Sequence, residues 1–221
     1  MNFAHPQLDH VLRLDGSRVA TLVIEQPQFF RALLQDVDEQ ISGGRGQAVL
    51  SRDDRPLPFD RHAELIDGFL HFQLGRKPLL TKLTNRLEAL AVEEENYARA
   101  AQLVGELEKF IMELSMSLPC DIYCSKMNFG GILRAVGVEI AEDQGSDLER
   151  LLDYMELTRE LDHERLFILV NLRSYYSDAE VEAFFASVLA HEILILPVDS
   201  VSRARLKNEQ RVTVDDDLCE F

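Results

Sequence analysis

Two short apolar runs in the last third of the chain constrain its fold more than any other feature. Leu166-Phe-Ile-Leu-Val-Asn171 and Ile193-Leu-Ile-Leu-Pro-Val198 each have the length of a strand buried on both faces. Between them, Ser177-Asp178-Ala179-Glu180 sets a carboxylate three residues after a serine cap, which predicts a helix running to about Ala190. Strand, helix, strand in this order predicts a parallel pair joined by a right-handed crossover. The chain is therefore read as α/β, with a sheet that helices cover.

The first 60 residues read as mostly β with one helix. Val11-Leu-Arg-Leu14 and Val19-Ala-Thr-Leu-Val-Ile24 flank Asp15-Gly16, a local hairpin signal. Pro27 presets a helix entry, and Phe30, Leu33, Leu34 and Val37 recur at helical spacing. Gly43-Gly-Arg-Gly46 follows that helix and precedes a strand, the reverse of the order that puts phosphate at a helix N-terminus, so it is read as a turn. Gln47 to Leu50 and Pro56 to Phe59 form a second short pair, and the segment from Ala63 to Phe72 is read as partly helical. From Pro78 to Leu118 helical periodicity is unbroken. One straight helix there would reach roughly 60 Å, too long for a compact domain, so it bends near Glu93-Glu-Glu95 or projects. Asn128 caps a short helix ending before Gly137, and Ser146-Asp-Leu-Glu149 opens another that ends near Leu161. The expected organisation is a sheet-based head domain, residues 1–77 and 162–221, with an extended α-helical arm, 78–161, inserted between its halves.

Composition bounds the function. The 221 residues, 46% of them apolar, can fill a sizeable core. No run approaches the roughly 20 apolar residues of a membrane span, and Met1-Asn-Phe-Ala-His5 lacks the pattern of a signal peptide, so a cytoplasmic protein with no membrane partner is expected. Cys120, Cys124 and Cys219 form no even disulfide frame and read as buried thiols. With 39 acidic against 23 basic residues the net charge is −16, which by itself opposes a phosphate-coated partner. Enzyme motifs are missing: no phosphate loop, no Gly-x-Ser-x-Gly, no His-Glu-x-x-His, and six histidines without ligand spacing. The Asp pairs 36/38 and 53/54 and the run Asp215 to Asp217 read as a solvated acidic surface in so acidic a chain.

A resemblance points elsewhere. The run FILVNLRSYYSDAEVEAFFASVLAHEILILPVDS with the closing Val214-Asp-Asp-Asp-Leu218, the opening MNFAHPQLDHVLRLDGSRVATLVIEQPQFFRALLQDV, and Gly75-Arg-Lys-Pro78 ahead of the long amphipathic stretch resemble the small subtype II-A CRISPR-associated adaptation protein family. The likeness is one of element order, length and scattered dipeptides over the whole chain. It implies a non-catalytic ring, a homotetramer threaded by double-stranded DNA, that binds duplex ends without regard to sequence during spacer acquisition. Its implied partners are the adaptation integrase and the RNA-guided effector nuclease.

The resemblance also implies calcium at the base of the long helices. There Glu113-Leu-Ser-Met-Ser-Leu-Pro-Cys-Asp-Ile-Tyr-Cys-Ser-Lys126 keeps only Glu113 and Asp121 as carboxylates, whereas calcium takes six to eight oxygens. No cofactor is expected to be required, and packing of Met116, Leu118, Ile122 and Tyr123 is expected to replace the ion. For DNA, the densest basic group is Arg203, Arg205 and Lys207, followed by Arg134 and by Arg76, Lys77 and Lys82 near the start of the long helix. A solvated loop explains the first group as well as a phosphate contact does. The other functional class left open is an α/β nucleotide hydrolase with a degenerate phosphate loop.

Overall fold

In the computed structural model, which describes residues 1–120, 122–124, 128–141, 145–162 and 165–221, the elements run β1 (Asn2–Ala4), β2 (Leu12–Arg13), β3 (Val19–Ile24), α1 (Pro27–Ile41), β4 (Val49–Arg52), β5 (Arg55–Leu57), α2 (Phe59–His62) and β6 (Ala63–Ile66). After these come α3 (Lys77–Val92), α4 (Glu94–Ser115), α5 (Phe129–Val136), α6 (Asp147–Asp162), β7 (Leu166–Val170), a 3-10 turn (Leu172–Ser174), α7 (Asp178–Ala190), β8 (Leu194–Asp199) and β9 (Glu209–Val214). The chain divides into two units, Met1–Gln73 with Asp143–Phe221, and Leu74–Glu142.

The first unit holds both sheets. The larger has strand order β6-β7-β8-β3-β9 and every pairing in it is parallel. The two apolar runs are adjacent, Leu166 opposite Leu194 through Val170 opposite Val198, and α7 links them. Its capping box is formed: Ser177 accepts from the Glu180 amide, and the Glu180 carboxylate accepts from the Ser177 amide at 2.8 Å. The smaller sheet, β2-β1-β4-β5, is antiparallel. One core joins the two sheets through α1: Phe29, Leu33 and Val37 cluster with Phe3 and Leu50 of the small sheet and with Leu22, Ile168 and Leu196 of the large one. Strand alternation turns Phe167 the other way, onto Tyr154 of α6.

Three readings of the sequence are corrected. The Asp15-Gly16 turn forms, with Asp15 accepting from the Ser17 amide and hydroxyl, yet its flanking strands do not pair. β2 joins β1, while β3 enters the other sheet between β8 and β9, because all six of its residues are buried and a two-stranded hairpin cannot cover both faces. Ala63 to Ile66 is a strand beside β7, not a helix. The arm is shorter than the expected 78–161: α6 belongs to the first unit, because Leu151, Tyr154 and Met155 are buried and Tyr154 meets Phe72 and Phe167 edge to face.

The second unit is helical. Glu93, with extended backbone, breaks the long periodic segment into α3 and α4. Asn128 caps α5 by accepting from the Gly131 amide at 2.7 Å, and Gly137, at φ +72°, ends it in the left-handed region open to glycine. α4 buries no residue, and Tyr97, Leu103, Leu107, Phe110 and Leu114 are exposed along it. Among the described residues no helix is long and apolar enough to cross a membrane.

Candidate nucleic-acid interface

Arg203, Arg205 and Lys207 lie together and exposed on the segment between β8 and β9. Because β8 and β9 both run parallel to β3, which lies between them, this segment must return the length of the sheet without a helix to carry it. Asp199 lies opposite Val23 and Glu209 opposite Val19, so the return along the sheet is about 13 Å, and the perpendicular step over β3 is about 10 Å. The straight-line gap is then about 16 Å, whereas residues 200–208, fully extended, reach about 30 Å, so the connection is a strap whose slack its contacts must take up.

The strap is fastened by backbone hydrogen bonds along its length. At its start, Asn171 Oδ1 accepts from the Ser200 amide and hydroxyl at 2.8 and 2.9 Å. At its end, Asn208 O accepts from the Val19 amide at 2.8 Å, and Glu182 of α7 accepts from the Lys207 amide at 2.9 Å. In the middle stands a buried pair: Arg211 donates from Nε and Nη2 to the two carboxylate oxygens of Glu209, each at 2.8 Å. Glu209 Oε2 also accepts from the Leu206 amide at 2.6 Å, and Arg211 donates to the carbonyls of Arg203 and Ala204. Leu206 is buried, which holds the strap to the sheet while its neighbours on either side face solvent.

Beside the strap, Asp199 at the end of β8 is buried, and desolvation pushes its carboxyl up to about 6, against the pull of Arg173 and Arg203. Arg173, itself buried, donates to Asp178 at 2.7 Å. The contacts of Asn171, Glu182, Glu209 and Arg211 were not among the sequence-based candidates. The readable signal was Glu209-x-Arg211, a spacing that shares one face of a strand, but the polar run 209–214 does not announce a strand.

The remaining candidates sit in the second unit. Arg134 of α5 pairs with Glu88 of α3 at 3.0 Å, so its charge is already opposed. Lys77 is exposed on the first turn of α3, and Arg76 and Lys82 are half-buried nearby in the sequence. Glu113 is exposed on α4 and lies 3.9 Å from Lys109; Asp121 and Lys126 fall outside the described residues. Among the described residues no group of three or more His, Cys, Asp or Glu side chains is placed to hold a metal. The apolar substitute is corrected as well. Met116 and Tyr123 are each 84% exposed and Leu118 52%, because nothing described in the chain covers them. The cysteines are likewise not buried: Cys120 and Cys219 are exposed, Cys124 partly so.

Each acidic group has a structural task. Asp36 accepts from the amides of Gln47 and Ala48, both at 2.7 Å, and a Cβ on Gly46 would lie 2.3 Å from its Oδ1. The glycine-rich loop thus closes on an internal carboxylate, which repels phosphate. Asp53 and Asp54 form the left-handed turn between β4 and β5, and Asp215 accepts from the amides of Asp217 and Cys219. At the turn from β3 to α1, where a parallel sheet would offer amides to a nucleotide phosphate, Gln26 Oε1 already takes the Phe29 amide and Pro27 has no N–H.

A family model described as CRISPR-associated protein (Cas_Csn2) matches residues 40–218. No curated protein matches the chain.

Proposed function

The chain belongs to the Cas_Csn2 family of CRISPR-associated proteins, and from that premise we propose that it is a non-catalytic, ring-forming protein that binds double-stranded DNA ends in subtype II-A spacer acquisition. The observation that carries the DNA-binding part is the strap. Between Ser200 and Arg211 the chain has four basic residues and one acidic one, within a chain of net charge −16, and three of those cations end in solvent. Such contacts neutralise phosphates without reading bases, so binding is independent of sequence. The exposed apolar residues of α4 support assembly, since burying them against another copy removes them from water. A homotetramer working beside the adaptation integrase and the RNA-guided effector nuclease is the assembly this reading entails, with no cofactor required.

Nucleotide hydrolysis is the weaker reading, because the Gln26 cap and Pro27 occupy the turn that phosphate would need. The deciding experiment measures binding to a linear duplex and to the same sequence as a covalently closed circle, over a range of salt. A ring that loads at ends binds the linear form better, and its affinity falls steeply with salt. Equal binding to the circle removes the end-loading claim, and no binding to linear duplex at low salt removes DNA binding altogether.

A further inference from the structure

We propose that Glu209 and Arg211 are positioning residues: their buried pair holds the strap's backbone in the shape in which Arg203, Arg205 and Lys207 meet phosphate. The inference rests on the DNA-binding reading of the strap. A buried ion pair by itself contributes little to stability, since an apolar pair of similar volume often serves as well. This pair does something an apolar pair cannot, because its polar atoms hold three strap groups: the two carbonyls of Arg203 and Ala204 and the amide of Leu206. All of these strap contacts are to backbone, so the cationic ends of the three side chains are left facing water.

Two further features fit a positioning role. The strap has slack and no helix or strand of its own, so its shape depends on the contacts that fix its middle. The charges of Glu209 and Arg211 cancel, so the brace adds no net field against an approaching phosphate. A carbonyl clamp needs the planar fork of arginine, which a lysine cannot reproduce at two carbonyls and two carboxylate oxygens together. A strap already ordered before binding loses less conformational freedom on contact with DNA than a mobile one.

The test is a double-mutant cycle on the full-length protein, read by duplex affinity at several salt concentrations. The variants are Arg211→Lys, the triple change Arg203→Ala, Arg205→Ala and Lys207→Ala, and the two combined. Arg211→Lys is expected to weaken binding roughly tenfold, within the coupling range for residues of one network, and to cost nothing further in the triple background. Amide exchange at Leu206 and Lys207 should speed up in Arg211→Lys while the amides of β7 and β8 keep their protection, which separates loosening of the strap from loss of the fold. Parent-like binding despite faster exchange overturns the inference and leaves the DNA reading standing. So does an equal loss from Arg211→Lys with and without the three cations. If the triple variant binds as the parent does, the strap is not the DNA surface and both fall. Should Arg211→Lys fail to fold, Glu209→Gln, which keeps an acceptor for Leu206, serves in the same cycle with the same outcomes.

Discussion

Asp199→Asn tests the electrostatics under the strap. Asp199 is 4% exposed at the end of β8 and faces Arg173, Arg203 and Glu209. Desolvation dominates and lifts its carboxyl from 3.8 to about 6. The folded chain therefore holds a proton that the unfolded chain has released, so stability falls as pH rises from about 4 through about 6 and is flat above. A shift of about two units corresponds to about 3 kcal/mol over the whole window, of which about 1.4 kcal/mol falls between about pH 5 and about pH 7.5. Urea unfolding of parent and Asp199→Asn at those two pH values isolates this group. His5, held down by burial, works with the opposite sign in the same range, but it is common to both proteins and cancels in the difference. Asp15, Asp147, Glu149 and Glu180, all held low by hydrogen bonds, lose their stabilising effect only below their ordinary range. The parent should lose about 1.4 kcal/mol more than the variant on going from the lower pH to the higher. Identical pH dependence in the two proteins would refute the buried, protonated Asp199.

Other predictions follow from the core, the arm and the metal. Tyr154→Phe removes a hydroxyl that donates to Glu64 at 2.6 Å in a residue 1% exposed, and should cost about 1–2 kcal/mol in urea unfolding. The double change Leu107→Glu and Phe110→Glu on α4 should shift the mass seen by light scattering toward the 25.2 kDa monomer without altering the helical circular dichroism. A calcium chelator should leave both the mass and the thermal midpoint of the parent unchanged; a drop in the midpoint that calcium alone restores would place a site around Glu113 and Asp121.

The C-terminal crossover was legible because each of its parts carries its own local signal: two apolar runs, a capping box, and too few residues between them for anything but one helix. The break at Glu93 was half legible: length left either a bend near Glu93 or a projecting straight helix, and the backbone takes the bend. The separation of β2 from β3 was not legible. A turn signal is local, whereas the choice of sheet depends on partners about 175 and about 190 residues away, β8 and β9. The same distance hid the strap. Its cations could be counted in the sequence, but Glu209 and Arg211 look like two more surface charges until β9 places them on one face, both buried. Helix α6 was misassigned because its own periodicity says that it is amphipathic without saying which unit covers its apolar side.

The acidity of the chain bears on how many copies touch DNA. One strap offers three cations, and neutralising three phosphates gives a slope of log affinity against log salt of only about −2.7, too shallow for useful binding at cellular ionic strength. The carboxylate of Glu182, next to the strap, keeps its negative charge while it accepts from the Lys207 amide, so Arg203, Arg205 and Lys207 outweigh it only within a Debye length of about 8–10 Å. Beyond that distance the −16 of the whole chain repels the duplex. Four straps around one axis would bring about twelve cations within that distance and a slope near −11, while the acidic surfaces stay farther out. The measured slope thus counts straps. A value near −11 that falls by about a quarter when one chain in four carries the triple change means that all four take part. A value near −3 in an intact oligomer means that one copy binds alone, and the ring then has no part in holding the duplex.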